Sequence, residues 1–487
     1  MQKHLWTIVV IICCCTACGD DTEKYSHNPA HLLTFSTDTL SFDTLLTAVN
    51  SPVKAFRAYN RNSSPLLISS VSLEQGDNSP FKINVDGFAG KNITNTEIRA
   101  GDSIYIMVNI FPDDLGQTTP TRIRDNIVFI TNGVSQKIVL DGWGQDVFHS
   151  REIIISTDST LSAAKPYLVT DSIYVAEGAT LTVTEGTVFY MRNNAQIIVN
   201  GTLKTQGTID HPVTIRGSRT DHLPLSTPIP YDLIPNQWGD IRFGSNSFNN
   251  ELTNTQIRNG NSGLIFDPST PEQKKIILKN TRITNVSISL IEAVNCNISA
   301  ENCEFSNSGN VCLNLTGGSY EFTHCTIANY YPSYREAGWK QSDNKTLYLS
   351  NHAADANTGA TQNIPLLKAD FRNTVFASLK TTGISINYTE ETISPSFTSC
   401  LFTDRTDEDK YFTNCLFGVR QDHIFIDSRA SDAYGENFAF DFSLLDDSPA
   451  RNAADINTAQ TVPFDLNGAS RLQDGKPDIG AYEKLSE

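Results

Sequence analysis

The sequence predicts an all-β protein in two architectures, a sandwich of short strands followed by a parallel β-helix solenoid. Three observations carry this. Thr, Ser, Asn, Ile and Val are abundant, whereas only 3 Met and few Ala-Leu-Glu-Lys stretches occur in 487 residues, a balance suited to strands and turns. Between 32 and 147, apolar runs alternate with turn clusters at sandwich spacing. Beyond 148 a short unit recurs with a period near 22 residues. Charge narrows the partners. With 37 Lys and Arg against 54 Asp and Glu, the net charge is −17, a poor match to a nucleic-acid backbone.

The chain opens with Met1-Gln2-Lys3-His4, then an apolar run from Leu5 to Cys15. Spanning a bilayer takes about 20 residues, so this run reads as a secretory signal over 1–17. It ends in Cys15-Thr16-Ala17-Cys18-Gly19, which resembles a bacterial lipobox. The resemblance implies cleavage after Ala17 and lipidation of Cys18, hence a membrane partner reached through acyl chains. Residues 18–31 form a tether, and its Asp20-Asp21-Thr22-Glu23 resembles the surface-export signal of Bacteroidota lipoproteins. Outer-membrane, cell-surface localisation follows from that resemblance.

Residues 32–147 hold seven expected strands, LTFSTDTLSF, VKAFRAYN, LLISSVSL, FKINVDG, SIYIMVNIF, DNIVFITN and QKIVLDGWG. Ala58-Tyr59-Asn60, Phe81, Gly101-Asp102-Ser103, Phe111-Pro112 and Leu140-Asp141-Gly142-Trp143-Gly144 resemble the immunoglobulin-like modules related to ASPM/SPD-2/Hydin domains. That family packs and binds and does no chemistry.

Residues 148–445 carry the repeat TNTQIRNG, KNTRITNV, ENCEFSNS, THCTIANY, RNTVFASL, TSCLFTDR and TNCLFGVR. Its bulky position is Ile257, Ile283, Phe305, Ile327, Phe376, Phe402 and Phe417, with two adjacent spacings of 22. Such a period fits one coil of a parallel β-helix, with like positions stacked about 4.8 Å apart. At 22–25 residues per coil the segment makes roughly 12 coils and ~60 Å. Asn254, Asn280, Asn302, Asn373 and Asn414 share a slot suited to left-handed backbone, where amides can ladder. The next slot is always small: Thr255, Thr281, Cys303, Cys325, Thr374, Cys400 and Cys415. Cysteine there reads as a small buried side chain, so Cys296, Cys303, Cys312, Cys325, Cys400 and Cys415 are expected as thiols. The region resembles the right-handed parallel β-helix proteins of the pectin-lyase-like superfamily.

Residues 446–487 contain Ser448-Pro449-Ala450-Arg451-Asn452, Asp465-Leu466-Asn467-Gly468, Arg471 and Asp478-Ile479-Gly480-Ala481-Tyr482-Glu483. This resembles the DIGAYE-type terminal motif of bacterial β-helix surface proteins, and implies a cap over the last coil. Arg471 with Asp465, Asp478 and Glu483 is the expected buried network, with Ca²⁺ as the one cofactor those carboxylates could take.

The chemistry of known β-helix enzymes has little sequence counterpart. No Asp-Asp pair or Gly-His-Gly lies within 151–445, and Arg216, Arg242 and Lys279 have no acidic cluster beside them on repeat strands. Asp404, Asp407, Glu408 and Asp409 cluster in one turn, read as solvated or Ca²⁺-binding. His211, His222, His324, His352 and His423 lack metal-ligand spacing, so neither catalytic residues nor metal ligands are assigned. The strongest ligand candidate is the insertion after Ile327, where Tyr330, Tyr331, Tyr334, Arg335 and Trp339 offer stacking faces and a donor for sugar. The alternative is that this loop packs on the solenoid. A second insertion, 218–237, is proline-rich and reads as a stiff edge shield. The expectation is therefore a surface lipoprotein with a non-catalytic glycan-binding or adhesive β-helix. The alternatives are a lyase-like carbohydrate-active enzyme on acidic polysaccharide and a purely structural surface component.

Overall fold

The computed structural model describes residues 25–223, 229–330, 345–354, 360–379, 383–388, 394–404, 409–428 and 440–485. They are almost entirely strand and turn, and divide into a unit ending at Asp146 and a second beginning at Val147.

In the first unit, two five-stranded sheets share one core. One runs Thr34–Phe35, Lys54–Tyr59, Ser103–Ile110, Phe81–Val85, Phe88–Gly90. The other runs Thr39–Leu46, Val134–Gln145, Thr121–Thr131, Leu66–Leu73, Asn92–Ile98, and its pairing of Val134–Gln145 with Thr39–Leu46 is parallel. Period-two alternation fills the core, Phe56, Phe81 and Ile106 from one sheet meeting Ile68, Phe129 and Leu140 from the other. Phe88–Gly90 and Asn92–Ile98 were not among the seven expected strands. The second of these buries only Thr96 and Ile98, which leaves little apolar signal to read.

The second unit has the long parallel sheets of a β-helix solenoid. Each full coil contributes three strands, as in Arg282–Val286, Ser289–Val294 and Asn297–Glu301, and each pairs in parallel with its counterpart one coil on. Ile257, Ile283, Phe305, Ile327, Phe376 and Phe402 are direct register partners, and Phe417 stacks on Phe402 at 5.2 Å. The column continues upstream through Ile215, Phe189, Tyr167 and Phe148. The sheet that takes one strand from each coil has ten strands, fewer than the roughly 12 coils expected. Insertions at 218–237, 331–344 and 351–365 absorb the difference.

The Asn slot is left-handed throughout, with φ of 44° at Asn254, 48° at Asn280, 52° at Asn302, 48° at Asn373 and 53° at Asn414. His324 takes the same conformation in the same slot, at 50°. Backbone bonds link successive coils here, Asn254 N–H donating to Lys279 O and Asn280 N–H to Glu301 O. Asn254 and Asn302 do not ladder, their Nδ2 groups donating instead to Gly207 O and Phe464 O, whereas Asn373 Nδ2 donates both to His324 Nε2 in the same slot one coil back and to Asp455 O. In the following slot, Thr281 Oγ1 donates to Lys279 O, Cys303 Sγ to Glu301 O and Cys400 Sγ to Thr398 O. The position thus requires a small side chain carrying a donor, which is why Thr and Cys alternate there. All six cysteines are thiols.

Candidate functional site

Each solenoid face has a different fate. On the face formed by Arg282–Val286, Glu304–Ser308, Thr326–Asn329 and Val375–Ser378, both sides of the last three strands are buried, and the outward Arg282 and Thr284 of the first are half-buried. The outward Ala328, Val375, Ala377 and Leu401 pack under Ala450, Leu466, Ile479, Ala481 and Tyr482. The C-terminal segment is therefore a strap along the solenoid's flank, a correction to the expected cap on the last coil.

Polar contacts lock the strap. Arg471 is wholly buried, with Nη1 3.3 Å from Glu483 Oε2 and Nη2 donating to Asn302 Oδ1 at 2.9 Å and Gly480 O at 3.0 Å. Asp465 accepts the N–H groups of Asn467, Ala469 and Glu483, and Asp478 those of Asn452 and Lys484. These two carboxylates staple loops through backbone donors, so the four expected residues do meet. Their solenoid partners, Asn302, Glu304 and Arg282, were not foreseen. Tyr482 donates to Glu304, and Arg282 donates to Tyr482 and to Asn467 Oδ1. Burial and the adjacent Asp478 push Glu483 up to about 8 against the pull of Arg471. Among the described residues, no group of three His, Cys, Asp or Glu is placed to hold a metal ion.

Upstream on the same face, the 218–237 insertion covers the outward arginines, Asp232 lying 3.1 Å from Arg216 and 2.6 Å from Arg258. The second face, built on Thr202–Gln206, Asn297–Glu301, Gly318–Thr323 and Leu366–Arg372, carries ion pairs at its downstream coils. There Lys274 and Lys368 pair with Glu321, and Arg372 with Asp370.

The third face stays open. Its strands are Gln196–Val199, Ile241–Phe243, Leu264–Phe266, Ser289–Val294, Val311–Thr316, Lys345–Ser350 and Ile384–Asn387. Ile241, Leu264, Ile291, Leu313 and Leu347 point into the core in register, which sends the residues after them outward. Arg242, Ile265, Glu292, Asn314, Tyr348 and Ser385 thus form one axial column, with a step of about 4.8 Å per coil. Thr316, Ser350 and Asn387 are also register partners, but Thr316 and Ser350 are buried there and Asn387 alone of the three is exposed. Glu292 and Asn314 have no hydrogen-bond partner among the described residues, and Asn387 Nδ2 approaches Tyr348 Oη at 3.5 Å. Arg242 is 2.6 Å from Asp267. Asp240, held by Gln196 Nε2 at 3.3 Å, is raised by burial, with Glu292 adding to the shift and Arg242 opposing it. Two carboxylates, Asp267 and Asp240, therefore lie beside Arg242, which sequence spacing had left without acidic neighbours. In sequence, insertions stand immediately before (331–344) and after (351–365) Lys345–Ser350.

Of the aromatic-insertion residues, Tyr331, Tyr334, Arg335 and Trp339 lie outside the described residues, as do Cys18, Asp407 and Glu408. Tyr330 is 1% exposed, packed against Phe425 and Phe442 of the segment before the strap, and its hydroxyl donates to Gln421 O. It offers no face to a sugar, which corrects its place among the ligand candidates. Asp404 is buried and accepts the Ile384 N–H at 2.8 Å, so it holds an open-face strand rather than a solvated turn.

No family model and no curated protein matches the chain. Similar solved structures include a protein of unknown function from Porphyromonas gingivalis W83, at 19% identity over 23% of this chain and 46% of that one, TM-score 0.18. The chain thus spans less than half of that protein's length. The ASH/PapD-like domain of human CEP192 is 7% identical over 23% of this chain and 84% of that one, TM-score 0.17. The catalytic unit of a GH87 alpha-1,3-glucanase from Streptomyces thermodiastaticus strain HF3-3 is 9% identical over 74% and 88%, TM-score 0.18. Likenesses this low carry no argument about function.

Proposed function

We propose that the chain is an outer-membrane lipoprotein of the cell surface, anchored through Cys18, whose solenoid is a non-catalytic glycan-binding or adhesive scaffold. In this reading the first unit is an immunoglobulin-like module, the solenoid a right-handed helix of the pectin-lyase-like kind, and the strap its DIGAYE-type closure. Its partners are the membrane and a glycan, and not nucleic acid. One observation carries the binding role. The open face presents coil-spaced hydrogen-bonding groups that neither the strap nor ion pairs consume. Polysaccharides repeat in one dimension and offer hydroxyls edged by apolar ring faces, which a column of Glu, Asn, Tyr and Ser matches.

A second reading, a carbohydrate-active enzyme, is favoured by Asp240, whose carboxyl is raised above the ordinary aspartate range by burial and, to a smaller extent, by Glu292, the direction a general acid requires. One experiment separates the two. The mature protein is passed over an immobilised polysaccharide panel, and both retention and new chain ends are followed. Retention without new ends is the expected result. New ends that vanish in Asp240→Asn would install the enzyme, and retention by no polysaccharide would defeat both readings.

A further inference from the structure

We infer that the open face takes a neutral glycan lying along the solenoid axis, with Glu292, Asn314 and Tyr348 of three successive coils as its contacts. This rests on the binding role proposed above and adds the charge class and direction of the ligand. The charge argument is local. Asp240, Asp267 and Glu292 stand along the upstream half, and the one Arg or Lys of the outward column, Arg242, lies 2.6 Å from Asp267 and half exposed. An acidic sugar laid here would bring its carboxylates or sulfates beside Glu292 with no unpaired cation in the column to receive them. Like charges so placed disfavour binding, and the chain's net −17 adds to the repulsion. A neutral sugar meets no such penalty and finds the acceptor of Glu292, the amide of Asn314 and the ring and hydroxyl of Tyr348.

Direction follows from register. Glu292 pairs with Asn314 and Asn314 with Tyr348, so the three side chains succeed one another along the axis at about 4.8 Å per coil. Across the axis the face is one short strand wide, six residues in Val311–Thr316. Only an axial ligand can touch all three groups.

The test uses the mature chain on neutral α- and β-glucans and mannan, against polygalacturonate, alginate and dextran sulfate. The expected result is retention on a neutral polymer, unchanged between low and high salt because no charge pair contributes. Tyr348→Ala should weaken that retention about tenfold, and Asn314→Ala, a change that removes only an outward amide, should weaken it severalfold. Glu251→Ala, on the second face, should leave it unchanged. Glu292→Lys should create retention on polygalacturonate. Salt-sensitive retention of the wild type on an acidic polymer would overturn the inference while leaving glycan binding intact. Retention on no polymer would instead remove the binding role itself, so the two failures are distinct.

Discussion

At the scale of single residues, Asn373 shows how much one side chain does in this fold. Its backbone sits at φ 48°, which costs most residues about 1–2 kcal/mol. Its Nδ2 donates to His324 Nε2 at 2.9 Å and Asp455 O at 3.0 Å, and its Oδ1 accepts the Asp455 N–H at 2.8 Å. Because His324 Nε2 accepts, its proton sits on Nδ1, and burial keeps the imidazole neutral by pushing it well below the usual histidine range. Asn373→Ala should therefore cost about 3 kcal/mol, from left-handed strain plus the loss of buried hydrogen bonds. Asn373→Gly keeps the backbone conformation and should cost less, a difference read from denaturation midpoints. The slot itself was legible, because Asn at a fixed place in five of the seven units implies a left-handed turn. The destination of its amides was not, since Asp455 and Phe464 lie outside the repeat. Likewise Tyr330 reads as a ligand-binding aromatic only while its distant partners Gln421, Phe425 and Phe442 are unknown.

Among elements, the strap decides most. Arg282 meets Tyr482 across 200 residues, a separation at which periodicity carries no information. A local trace did exist, in the small outward Ala328 and Ala377, which make room for the strap beside the large inward Ile327 and Phe376. The strap should also be pH-sensitive. Glu483 is ordinarily near 4.5 and stands at about 8 in the folded chain, so between these values the folded state binds the extra proton. Stability conferred by the strap is then complete below about pH 4.5 and falls as pH rises toward 8, by at most about 1.4 kcal/mol per unit. Asp478 and Arg471 face this group, and Asp478 is itself raised by burial, which acts in the same direction at lower pH. His324 acts the other way, costing stability as pH falls below about 6.5. Cys415, held at about 7 by its bonds to Cys400, titrates in the Glu483 window with opposite sign. The difference between wild type and Glu483→Gln isolates the glutamate. Amide exchange at Asn452 and Ala481 should quicken from pH 6.5 to 8 in the wild type, relative to the variant, once corrected for intrinsic rates. Equal profiles would show that Glu483 is ionised in the folded strap.

For the whole molecule, the solenoid was legible because a coil repeats its chemistry every 22 residues, and the bulky column read from sequence is the column of register partners. The open face was not legible, since Arg242, Glu292, Asn314 and Tyr348 become neighbours only once coils of unequal length are stacked. The proposed anchor belongs to this scale because it decides where the face is displayed. An apolar stretch of 11 residues, from Leu5 to Cys15, is too short to span a bilayer at about 20 residues. Among the described residues no helix is long and apolar enough to cross a membrane. Stable attachment would then depend on acyl chains at Cys18, each buried CH₂ contributing about 0.8 kcal/mol. A single chain gives only marginal binding, so the full lipid modification is needed. Cys18→Ser should abolish metabolic labelling by palmitate and move the protein from the membrane pellet to the soluble fraction, while its fold, judged by far-ultraviolet circular dichroism, stays unchanged. Unlabelled protein that still sediments with membranes would place attachment elsewhere, and labelling that survives the substitution would exclude Cys18 as the anchor.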